Sequence, residues 1–227
     1  MKELLAKIIE AISKVFEEYL SKKDKERETP DADYTGKAKI GLIVGHTKRS
    51  PGASFNNGAF SAEYDFNSEV AKQAKLYCKT KYGNVLDTEI IFRDRIGIPG
   101  AYRKAEKIGC DVVIELHFNA FNKTVEGTET LTTSHVGDRE FALEIQKMMC
   151  RIFKRKGLSR GVKPIAKSAR AGENVYAFPK GYNCLVEPFF GDNEKEAIFA
   201  DVVLGDYSRG LIDSCFDFCK NYLGLIK

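Results

Sequence analysis

The sequence predicts an α/β protein: a twisted, mainly parallel β-sheet covered by helices on both faces, preceded by an N-terminal amphipathic helix. Three observations carry this. From about Ala38 onward, short apolar, β-branched runs alternate with longer stretches of helical periodicity. Runs such as Ile40-Gly41-Leu42-Ile43-Val44 and Val112-Val113-Ile114 carry no polar residue, as expected of strands covered on both faces. Before them, Leu4, Leu5, Ile8, Ile9, Ile12, Phe16, Tyr19 and Leu20 recur at helical spacing among lysines and glutamates.

Taken in order, Lys2 to Leu20 reads as one amphipathic helix. Ser21 to Lys37 reads as a linker, because Lys22-Lys23-Asp24-Lys25-Glu26-Arg27 is charged and Thr29-Pro30-Asp31 is turn-forming. This divides the chain into residues 1–37, helix and linker, and residues 38–227, the main domain. There, Lys39–Val44 is a buried strand, Glu63 to about Tyr82 a helix, Thr88–Phe92 a strand and Gly100–Ile108 a helix. Val112–His117 and Gly127–Thr132 are strands, and Asp138–Lys156 is a long helix ended by Gly157. After an irregular basic stretch, Cys184–Glu187 is a strand, Glu194–Asp201 a helix and Tyr207–Leu223 a closing amphipathic helix.

Composition narrows the function. The 227 residues are 43% hydrophobic and 30% charged, which suits a soluble globular domain. The net charge of +4 is modest and the basic residues are dispersed among acidic ones, so a nucleic-acid partner is not expected. Lys7, Glu10 and Lys14 interrupt any apolar core of a secretory signal, and no apolar run is long enough to span a membrane. The first helix mixes charge signs on its polar face, which favours packing or self-association over membrane contact. The six cysteines lie scattered in apolar segments without a CxxC pair, so they read as reduced, core-filling thiols.

Two of the three histidines, His46 and His117, stand at or just past the C-terminal ends of predicted strands, where such sheets place their ligands. His135 has no comparable setting and reads as surface. A catalytic zinc takes three ligands of His and carboxylate type and leaves a position for water. Glu63, opening the first helix after the loop from His46, is a candidate third ligand, although the helix dipole alone also favours Glu there. Glu187 ends the run Cys184-Leu185-Val186 before Pro188-Phe189-Phe190; a carboxylate in apolar company suits general acid/base work. Glu115, two residues before His117, competes for either role. HExxH, the P-loop and GxSxG are absent, which disfavours zincins, nucleotide hydrolases and α/β-hydrolases.

Gly45-His46, Glu63-Tyr64-Asp65-Phe66-Asn67, His117-Phe118-Asn119-Ala120 and Leu185-Val186-Glu187 follow one another in an order that resembles the zinc-dependent N-acetylmuramoyl-L-alanine amidases. Phe92-Arg93-Asp94, the helix from Arg103 and Arg160-Gly161-Val162-Lys163 resemble further landmarks of that family, and the likeness spans Lys39 to about Leu223. It implies zinc (Zn2+) held by His46, Glu63 and His117, with Glu187 catalytic. It also implies hydrolysis of the amide joining N-acetylmuramic acid to L-alanine in peptidoglycan. The chain departs from the family at Thr47-Lys48, where many members carry two glycines, and at Glu115, where serine is common. Asn119 and Glu115 are therefore expected as substrate-binding or supporting residues. A zinc peptidase acting on the stem peptide and a non-catalytic wall-binding module are the rival readings. Without a signal peptide, the chain is expected to be made in the cytoplasm and to act on the wall after release, as a phage- or prophage-type lytic enzyme.

Overall fold

The computed structural model describes residues 36–157, 159–169, 171–179 and 181–226. The helix expected over Lys2–Leu20, and all but the end of the charged linker, lie outside the described residues. Strands β1 (Ala38–Val44), β2 (Leu86–Phe92), β3 (Val112–Leu116), β4 (Glu129–Thr132), β5 (Gly161–Pro164) and β6 (Tyr182–Glu187) form one six-stranded sheet, ordered β2-β1-β3-β6-β4-β5. β1, β2, β3 and β6 run parallel; β4 pairs antiparallel with β6 and parallel with β5. The sheet is thus mixed but mainly parallel.

Side chains of period two sort the strands between two apolar layers. Ile40, Leu42, Val44, Val112, Ile114, Leu116, Cys184 and Val186 share the larger core with α1 (Glu63–Lys81), α3 (Val136–Ile152) and α5 (Glu194–Asn221). Ile43, Ile91 and Val113 face a smaller core with Ala101, Tyr102 and Ala105 of α2 (Gly97–Ile108) and Phe178, which follows the short α4 (Gly172–Val175). All six cysteines are free and buried. Among the described residues no helix is long and apolar enough to cross a membrane.

Besides the long helix α3, which ends at Ile152, short of the expected Lys156 and Gly157, three elements differ from expectation. The two final helices are one, Glu194–Asn221, started by Asn193, whose side chain accepts from Lys195 N at 3.1 Å. Between them stands Val202-Val203-Leu204-Gly205-Asp206, which holds no proline, and burial of Val203 and Leu204 outweighs the roughly 1 kcal/mol that Gly205 costs a helix. Second, α2 starts three residues early, at Gly97, because Pro99 fits a first turn whose amide needs no partner. Third, the basic stretch contains β5 and α4, each of four residues and too short to display a period.

Candidate metal centre

The chain leaves β1 for β2 on one side and returns to β3 on the other, so the ends of β1 and β3 flank a crevice at the point where strand order reverses. Register aligns those ends. Val44 pairs with Leu116 and Leu116 with Val186; Gly45 N donates to Leu116 O at 3.0 Å and His117 N to Val186 O at 3.1 Å. His46, His117 and Glu187 therefore emerge at one sheet edge. His46 has φ of 64°, a left-handed conformation costing about 1–3 kcal/mol for a residue with a Cβ.

Glu63, the first residue of α1 and only 2% exposed, ties the crevice together. Its Oε1 lies 2.7 Å from His117 Nδ1 and accepts from Phe118 N at 3.1 Å. Its Oε2 lies 3.1 Å from His46 Nε2 and accepts from Ala53 N at 3.1 Å. One ligand atom from each of His46, Glu63 and His117 falls within 4.8 Å of the others, the only such group of three among the described residues. Atoms bound to one tetrahedral ion at about 2.0–2.1 Å stand about 3.3 Å apart, so the cluster fits a small divalent metal after slight adjustment.

The electrostatics agree. Burial opposes a charge on Glu63, yet hydrogen bonds with His117 and His46 and their positive charges hold its carboxyl at about 2. Burial likewise opposes a charge on His117, but hydrogen bonds to Glu115 and Glu63 lift it to about 10 in the metal-free protein.

These residues line a cleft of about 490 Å³, and Glu187, Arg93 and Asn119 line it too. Glu187 ends β6 as expected. Asn119 is anchored as well: its backbone bridges to Phe189 and Gly191, and its Nδ2 donates to Glu129 Oε1 at 2.9 Å. Glu129 also accepts from Arg160 Nε at 2.8 Å and from Lys163. Glu115 is wholly buried behind His117, outside the group of three, with Oε1 3.2 Å from His117 Nε2. His135, read as surface, is half-buried at the N-terminus of α3, where its side chain makes no capping hydrogen bond.

The sequence profile of the N-acetylmuramoyl-L-alanine amidase family matches residues 40–200, most of the chain. The chain belongs to that family. Its fold is shared with an N-acetylmuramoyl-L-alanine amidase from Clostridium difficile 630, at 17% identity and a TM-score of 0.66 over 83% of this chain and 100% of the other. A putative N-acetylmuramoyl-L-alanine amidase from Neisseria meningitidis is 26% identical, with a TM-score of 0.60 over 78% of this chain and 93% of that one. The catalytic domain of the CD27L endolysin targeting Clostridia difficile is 24% identical, with a TM-score of 0.58 over 79% and 97%. No curated protein matches the chain.

Within this amidase fold, residues beyond those read from the sequence join the site. Arg93, just past β2, lines the cleft and pairs with Glu115 at 2.8 Å. Its place at the end of a parallel strand was the available signal. Tyr102 and Asn174, which also bind Glu115, had none: one reads as an apolar helix residue, the other lies in a segment without a period.

Proposed function

We propose that the chain is a zinc-dependent amidase that hydrolyses the bond between N-acetylmuramic acid and L-alanine in peptidoglycan, with residues 38–227 as the catalytic domain. The observation that carries this is the meeting of His46, Glu63 and His117 at one sheet edge, in a cleft that Glu187 also lines. His46, Glu63 and His117 would hold the metal: two imidazoles and one carboxylate, the donor set of hydrolytic zinc sites that keep a position open. Zinc bound there supplies Lewis acidity, polarising the lactyl carbonyl and bringing the pKa of water toward about 7.

The protein's own groups do the rest. Glu187 accepts the proton of the attacking water and returns it to the departing alanine nitrogen, so that one carboxylate serves as base and then as acid. Glu63, gripped by the backbone amides of Ala53 and Phe118, keeps its carboxylate in place between the histidines. Asn119 is a supporting residue that links the loop after β3 to Glu129. Membership of the amidase family and likeness to an endolysin domain support a wall-lytic role of the phage or prophage type.

The test uses purified peptidoglycan, the full chain, a chelator and Glu187→Gln. New L-alanine amino termini should appear with the native protein and vanish with chelator or with the variant. Amino termini of other stem-peptide residues would point to a peptidase, and none from folded, zinc-loaded protein would leave a wall-binding module. Whether residues 1–37 drive self-association is read from the mass in solution with and without the residues before Asp31.

A further inference from the structure

Glu115 is 0% exposed, yet every acceptor position it offers is used by a donor from a different part of the fold. Arg93 Nη1, following β2, donates to Oε1 at 2.8 Å. Tyr102 Oη of α2 and Asn174 Nδ2 of α4 donate to Oε2, each at 2.8 Å. The remaining contact is His117 Nε2, 3.2 Å from Oε1. A buried carboxylate without partners would be expelled or neutralised; this one is fully bonded.

In the metal-free protein both ring nitrogens of His117 meet a carboxylate, Nδ1 that of Glu63 and Nε2 that of Glu115, and each can donate. The donor inventory decides which nitrogen would keep its hydrogen once Glu63 serves a metal. Arg93, Tyr102 and Asn174 all present hydrogens to Glu115, so the carboxylate acts toward His117 as an acceptor and Nε2 is the N–H. In the neutral ring Nδ1 then holds the lone pair. That nitrogen lies 2.7 Å from Glu63 Oε1, on the side of the ring facing the cluster with His46, whereas Nε2 faces away from it.

We propose that Glu115 is a positioning residue that commits His117 to ligate through Nδ1, and that Arg93, Tyr102 and Asn174 serve this by holding Glu115. The inference rests on the metal-centre reading above. It also removes Glu115 as a competing ligand, because its Oε1 sits behind the imidazole. Partners of this kind set the tautomer and orientation of a histidine ligand, and losing one commonly weakens metal binding about 10–100-fold.

The full chain, labelled with 15N in its histidines and loaded with zinc, gives the direct readout. His117 should show a protonated Nε2 and a metal-bound Nδ1; a metal-bound Nε2 overturns the proposal. Zinc affinity, measured by competition with a chromophoric chelator, should fall about 10–100-fold in Glu115→Ala. It should fall less in Glu115→Gln, whose amide oxygen still accepts from Nε2, and less again in Asn174→Ala. Affinity unchanged in folded Glu115→Ala overturns the proposal as well. If Glu115→Ala does not fold, the histidine spectra of the native protein decide alone. A native chain that binds no zinc defeats the metal-centre reading itself, an outcome distinct from zinc bound through the other nitrogen.

Discussion

Glu129 and Glu187 stand directly opposite each other in the antiparallel pairing of β4 with β6, so two carboxylates share one patch of the sheet. Glu129 is bound to two cations, Arg160 and Lys163. Arg160 and Lys163 hold its carboxyl below the usual range, although burial pushes the other way. Its contribution to stability is therefore present above the ordinary carboxylate pKa of 4.5 and is lost as pH falls. Glu129→Ala is expected to destabilise the fold by about 1–3 kcal/mol at neutral pH, because the Asn119 amide and two cations lose their acceptor. Urea unfolding at pH 7 and pH 4 checks this: the penalty should shrink at the lower pH.

Metal uptake should release a proton. Without metal, His117 titrates at about 10 against an ordinary 6.5, so the folded protein carries its proton at pH 8. A ligand nitrogen must shed it, and calorimetry of zinc binding at pH 8, in buffers of different ionisation enthalpy, should report about one proton released. The same group shapes the stability of the metal-free protein. Its contribution is complete below pH 6.5 and is lost as pH rises toward 10, while those of Glu63 and Glu115, both held at about 2, are complete above 4.5 and lost as pH falls. Metal-free protein should accordingly be most stable between about pH 4.5 and 6.5. A midpoint of urea unfolding that rose steadily from pH 6 to 10 would contradict this.

How much of this was legible beforehand follows from what each residue needed. His46 and His117 could be placed because fully apolar strand runs announce a parallel sheet and such sheets bind at their carboxyl ends. Glu63 could be named a candidate from its place at a helix start but rested mainly on family resemblance, since nothing local separates a ligand from an acid that caps a helix dipole. Glu115 could not be assigned, because its role depends on Arg93, Tyr102 and Asn174, residues 22, 13 and 59 positions away in sequence. The single helix α5 reads as two in the sequence, with residues 202–206 between them, because the tertiary burial that carries it through is not registered by propensity.

Gly52 illustrates a constraint on the site from its loop. It has φ of +84°, and a Cβ there would sit 2.5 Å from Glu63 Oε2 and 2.7 Å from the His46 ring. Gly52→Ala should cost about 1–2 kcal/mol in backbone strain and also push Glu63 and His46 apart. The expected result is folded protein with zinc affinity lowered at least tenfold, measured by chelator competition. Affinity equal to that of the native chain would mean that the loop yields without moving the ligands.

Four phenylalanines connect the segments that carry the site. Phe55 lies in the loop after His46, Phe66 three residues after Glu63, Phe118 next to His117 and Phe189 two residues after Glu187. Phe66, fully buried, has ring centroids at 5.2 Å to Phe55, 6.0 Å to Phe118 and 5.1 Å to Phe189. Its removal therefore loosens every segment at once. Phe66→Ala should destabilise the fold by about 3–5 kcal/mol, the usual cost of deleting a buried aromatic. Phe141→Ala, which empties a site against Phe218 in the core between α3 and α5, should cost a similar amount. The two variants separate packing from function: zinc affinity per folded molecule should fall in Phe66→Ala and stay unchanged in Phe141→Ala. Equal affinities would show that backbone hydrogen bonds at the ends of β1, β3 and β6 suffice to hold the ligands.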